Sequence, residues 1–82
     1  MRAITKRLIE EHLDKAREKH PRFVEGMMHV PAIAAEELGE MVKEINDAYD
    51  ESNEIIRQKL IKCAKDEAFD LIAVLIRFIE DD

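Results

Sequence analysis

The sequence predicts an all-α fold: a small bundle of three helices, or four if the last one breaks, completed by oligomerisation. Three observations lead there. The 82 residues are 46% hydrophobic and 39% charged, with only 2 Gly and 2 Pro to interrupt them, a composition suited to helices. Apolar side chains recur three and four residues apart in three stretches, the spacing that lines one face of a helix. The last stretch ends in a run from Asp70 to Ile79 that is apolar nearly all round. A helix of that kind must be covered on every side, and three helices cannot do it. A chain this short makes one domain, residues 1–82, and buries only about 60–65% of its unfolded surface, so copies are expected to associate.

Residues 2–19 form the first predicted helix, with Ile4, Leu8, Ile9, Leu13 and Ala16 on one face. His12, in its middle, reads as a solvated surface residue. His20-Pro21 ends the helix, because the residue before a proline avoids the α region. The connector, 20–30, holds Phe23, Gly26, Met27, Met28 and two histidines. It is either a loop whose Phe and Met pack back on the core or a lip on which Phe23, His20 or His29 offers a face to a flat ring. Residues 31–50 form the second helix, with Pro31 at its first position. Its apolar arc is Ala34, Leu38, Met41, Val42, Ile45, Ala48 and Tyr49, and Glu37, Glu40, Glu44 and Asp47 run down one edge of it. Gly39 costs about 0.5–1 kcal/mol in mid-helix relative to Ala, which points to close approach by another backbone or a ligand. The turn at 50–53 offers N-cap residues. From about Asn53 to Ile79 the pattern is helical again, as one long helix or as two with a break near Lys65. Cys63 reads as a small buried hydrophobe.

The bulk properties exclude several functions. A net charge of −6 argues against nucleic acid or an anionic membrane as partner. Residues 31–54 carry eight acidic side chains and one basic, Lys43, so the negative charge is concentrated on the second helix. One cysteine allows no intrachain disulfide, which fits a cytoplasmic setting. No signal peptide is visible, and the apolar run 68–79 falls short of the roughly 20 residues that span a membrane.

Within this frame two pairs of acids stand out, Glu37/Glu40 and Glu67/Asp70. Residues three apart share a helix face, with Cβ atoms roughly 5–6 Å from each other. At about 100° per residue, Leu60, Phe78, Ile56 and Val74 all fall within about 20° of Glu67. By the same measure Ala48, Met41 and Ile33 fall within about 40° of Glu37. Both acids thus occupy positions where an amphipathic helix carries an apolar residue. A buried, unpaired carboxylate costs several kcal/mol, so something must compensate it: a basic partner, a proton or a metal. Di-iron bundles want Glu-x-x-His and zinc wants Cys or His; neither pair has them. An all-oxygen set suits Mg²⁺ or Mn²⁺, which leave coordination positions for water and phosphate oxygens. No glycine-rich phosphate loop is present, so phosphate would be held through metal and through Lys or Arg.

Glu36-Glu37-x-x-Glu40, twenty-six residues (41–66), then Glu67-x-x-Asp70 resembles the EExxE…ExxD signature of the MazG-like all-α nucleotide pyrophosphohydrolases. The likeness spans about residues 31–79. It implies a hydrolase that cleaves a nucleoside triphosphate, NTP or dNTP, between the α and β phosphates to a monophosphate and pyrophosphate. It implies Mg²⁺, with Mn²⁺ as a substitute, on Glu37, Glu40, Glu67 and Asp70. Glu36 would orient ligands, bind a further metal or assist the attacking water. It also implies a homo-oligomer, dimer or tetramer, and places the connector with Phe23 and His29 near the base. Lys43, Lys59 and Lys62 are the candidates for phosphate contact. A sister branch hydrolyses phosphoribosyl-ATP, but the first motif here lacks a basic approach. The alternative from another class is a non-catalytic helical interaction module, in which Glu37 and Glu67 pair with Lys or Arg across a subunit interface.

Overall fold

The computed structural model describes residues 1–21 and 29–81, and these form three helices: α1 (Ala3–Lys19), α2 (His29–Asp50) and α3 (Glu54–Glu80). The all-α bundle is the one the apolar spacing predicts. Phe23 and most of the connector, 22–28, lie outside the described residues. The last stretch is one helix; the periodicity runs through Lys65 without a break. Helix α2 starts at His29, two residues ahead of Pro31. Pro31 still falls among the first four N–H positions, which have no partner inside a helix, so its missing N–H costs nothing.

Asn53 starts α3. Its Oδ1 accepts hydrogen bonds from the backbone N–H of Ile55 (3.0 Å) and Ile56 (3.2 Å), a cap that stabilises by about 1 kcal/mol. Only residues 51–53 separate α2 from α3, and the two helices pack along their lengths as an antiparallel hairpin. Helix α1 packs on α3 and not on α2, so α3 is the central element. A groove of about 720 Å³ runs between α1 and α2, with α3 as its floor.

The buried apolar residues are few and mostly small: Leu13, Val30, Ala48, Ala64 and Ala73. The expected arc on α2 splits. Ala48 is buried, while Leu38, Val42, Ile45 and Tyr49 stand exposed in a stripe at helical spacing. Leu75, Phe78 and Ile79 are likewise exposed on α3. Cys63 is exposed, not buried, because the adjacent Ala64 takes the inward position. A Cβ added to Gly39 would meet no atom within 4 Å, so no backbone approaches it among the described residues.

The far end of α3 is tied to α1 by a cation. Arg77 is buried, 4% exposed. Its Nη2 donates to the carbonyl of His20 (2.7 Å), its Nη1 to the carbonyl of Ala16 (3.2 Å) and its Nε to Asp81 Oδ2 (2.8 Å). Arg17 of α1 also donates through Nη2 to Asp81 Oδ1 (2.7 Å) and Glu80 Oε1 (3.1 Å). Carbonyls at a helix C-terminus carry partial negative charge; that of Ala16 already accepts the His20 N–H at 2.9 Å, and that of His20 lies just past the end of α1. Arg77 supplies donors and positive charge to both at once. The two guanidinium groups hold the Asp81 carboxyl below its usual range, the Arg17 hydrogen bond more than the Arg77 one.

Candidate metal centre

The hairpin sets the register of the acids. Glu37 stands thirteen residues before the end of α2 at Asp50, and Glu67 thirteen residues after the start of α3 at Glu54. Arms of equal length in an antiparallel pair bring the two to the same level. One carboxylate oxygen each from Glu37, Glu67 and Asp70 lie within 4.8 Å of one another. Glu37 and Glu67 are half-buried and Asp70 is exposed.

Glu40 is exposed and not in that trio, but its carboxyl lies within hydrogen-bonding range of Glu67. Glu36 is exposed beside Glu40 and adds to the negative field there. Glu44 lies one turn beyond Glu40 on the acidic edge of α2. Its Oε2 is fully enclosed and accepts no hydrogen bond from a described residue. An enclosed acceptor without a donor costs about 1–3 kcal/mol.

Two carboxyls in contact cannot both ionise freely. The Glu67 carboxyl is pushed up to about 7, first by its hydrogen bond with Glu37 and then by burial. Glu40 is raised as well, chiefly by its contact with Glu67. Among the described residues no Lys or Arg lies within 4.0 Å of Glu37, Glu40 or Glu67. Basic partners, one of the three possible compensations, are therefore absent from these groups among the described residues.

The donor set fits a hard divalent cation. All converging donors are carboxylate oxygens. Ligands about 2.0–2.6 Å from a shared ion lie up to about 4–5 Å from each other, which the 4.8 Å spread meets. The enclosed, donor-free Glu44 Oε2 is a further oxygen suited to a cation or its bound water.

His12 is not the surface residue expected from the sequence. Its Nδ1 lies 2.9 Å from Asp70 Oδ1, and its ring stacks on Phe69, centroids 5.2 Å apart and planes at 21°. A carboxylate ligand is commonly fixed by a hydrogen bond from outside the coordination sphere, and His12 stands in that place. The partners are 58 residues apart, and nothing in the local pattern of α1 marked the contact.

The basic residues fall elsewhere than expected. Lys59 and Lys62 line a shallow groove of about 400 Å³ with Glu54, Ile55 and Gln58, away from the acids. Lys43 is exposed and borders none of the grooves described. His29 is exposed at the start of α2, whereas His20 lines the main groove. Lys15 and Lys19 of α1 line that groove too, opposite Glu37. No helix among the described residues is long and apolar enough to cross a membrane. The chain matches no protein-family model, no curated protein and no solved structure, so the geometry of these side chains carries the functional reading.

Proposed function

We propose that the chain is a Mg²⁺-dependent pyrophosphohydrolase of nucleoside triphosphates, cleaving between the α and β phosphates to a monophosphate and pyrophosphate. The observation that carries this reading is the meeting of Glu37, Glu67 and Asp70 at one point, where among the described residues no Lys or Arg pairs with them and only His12 touches Asp70. Those three residues would hold the ion, with Glu40 and Glu44 beside them. A bound divalent ion supplies charge stabilisation at phosphate oxygens and lowers the pKa of bound water. Asp70 keeps its orientation through His12. Glu36 and Glu40, both exposed, would accept a proton from an attacking water. The groove of about 720 Å³ lies within the range of about 300–1,000 Å³ usual for small-molecule sites.

The test is pyrophosphate release from a panel of NTPs and dNTPs with Mg²⁺, for the native chain and for Glu67→Gln. Turnover by the native chain and a loss of at least about 100-fold in the variant are expected. Equal rates would remove Glu67 from the chemistry. The exposed stripe Leu38, Val42, Ile45 and Tyr49, with Leu75, Phe78 and Ile79, supports a homo-oligomer in which a second copy covers these faces. The same stripe favours the second reading, a non-catalytic helical interaction module. Thermal melting with and without Mg²⁺ separates the two: a large upward shift is expected of the enzyme and none of the module.

A further inference from the structure

We infer that the α1 wall of the groove is its polyphosphate-binding side, with Lys15 and Lys19 holding the β and γ phosphates of the substrate. This rests on the pyrophosphohydrolase reading and names the residues that the sequence sought at Lys43, Lys59 and Lys62.

Three observations place the role on α1. First, Lys15 and Lys19 are four residues apart, one turn of the helix, and both border the same cavity as Glu37 and Asp70. The groove therefore sets Glu37 on its α2 wall and Asp70 on its α3 floor across from two lysines on its α1 wall. An ion held by the acids and phosphates bridging towards the lysines would satisfy both walls. Second, neither lysine is ion-paired among the described residues, although the chain has a net charge of −6 and acids are plentiful. Like charges one turn apart repel, so two unpaired lysines facing a cavity form a site suited to an anion with more than one charge. Third, the wall is fixed in place. Arg77 bonds the carbonyls of Ala16 and His20, the residues that follow Lys15 and Lys19. His12, one turn earlier, ties the same helix to Asp70. The spacing between lysines and acids is thus held at both ends, which a ligand bridging them requires.

Inorganic tripolyphosphate is the probe, titrated calorimetrically into the full chain with Mg²⁺ and again in EDTA. Mn²⁺ binding is followed separately by electron paramagnetic resonance. The double variant Lys15→Gln/Lys19→Gln should bind tripolyphosphate at least tenfold more weakly under both conditions, with Mn²⁺ affinity within twofold of native. Lys15→Arg/Lys19→Arg should restore binding to within threefold. Lys59→Gln/Lys62→Gln should leave it unchanged. Native affinity in Lys15→Gln/Lys19→Gln overturns the proposal, and so does an equal loss in Lys59→Gln/Lys62→Gln, which would mean a diffuse charge effect. Absence of tripolyphosphate binding by the native chain also overturns it. Loss of Mn²⁺ binding in Glu67→Gln reports on the metal reading alone, so the two can fail independently.

Discussion

Around Glu67, helix α3 gathers carboxylates with no Lys or Arg paired to them among the described residues; about 15 Å further along, at Arg77, it buries a cation within a set of acceptors. The Arg77 region is self-sufficient. Two guanidinium groups, two carboxylates and two helix carbonyls satisfy each other, and the Asp81 carboxyl is driven down. The Glu67 region is incomplete by itself. The Glu67 and Glu40 carboxyls are driven up, and an enclosed oxygen of Glu44 lacks a donor among the described residues. A region that neutralises itself holds helices together. One that does not leaves an electrostatic demand that a ligand can meet.

Breaking each end should therefore give opposite results. The largest effect is the loss of turnover in Glu67→Gln, at least about 100-fold by pyrophosphate release. Arg77→Ala should cost about 2–4 kcal/mol of stability in denaturant unfolding, because it removes a buried side chain, the donor to the His20 carbonyl and one of the two guanidinium partners of Asp81. His12→Ala should weaken Mn²⁺ binding about tenfold by freeing Asp70, and His12→Gln, which keeps a donor, should lose less.

Proton linkage sharpens the contrast. Glu67 binds its proton more tightly in the folded state than in the unfolded chain, about 7 against an ordinary 4.5. Its contribution to stability is then fully present below about pH 4.5 and is lost as pH rises through about 7. The metal-free protein should lose roughly 1 kcal/mol between pH 5 and pH 8. Glu67→Gln should flatten that slope and stabilise the metal-free protein at pH 8. Mg²⁺ should restore the native chain there, since metal replaces the proton. Asp81 behaves in the opposite sense: the contacts it makes stabilise above the ordinary carboxylate range and weaken in acid. Thermal melts from pH 3 to pH 9 check both. The smallest effect is Gly39→Ala, which should stabilise by about 0.5–1 kcal/mol, since the added methyl meets nothing within 4 Å. A loss of nucleotide binding in that variant would place the ligand against Gly39.

The sequence disclosed what depends on local periodicity. The three helices, the cap at Asn53 and the inward phase of Glu37 and Glu67 all follow from spacing along one segment. It did not disclose what depends on α1 meeting α3. The contact of His12 with Asp70 and the position of Lys15 and Lys19 over the groove join residues more than fifty apart, and neither segment signals the other. Arg77 did give a local sign, a lone charge in an apolar run with Asp81 four residues on, but its other two acceptors are backbone carbonyls at the end of α1, which no side-chain pattern encodes. Cys63 faces out where the pattern predicts burial, because one step of about 100° separates it from Ala64 and the apolar pattern there admits either phase.

The equal arms of the hairpin make the interval of twenty-six residues between Glu40 and Glu67 a mechanical gauge. Dropping one residue between 41 and 50, or between 54 and 66, swings one set of acids by about 100° and slides it about 1.5 Å past the other. Length in this segment is accordingly more constrained than chemical identity. Most of its surface positions tolerate exchange, while a change of length is tolerated only when whole turns enter both arms together.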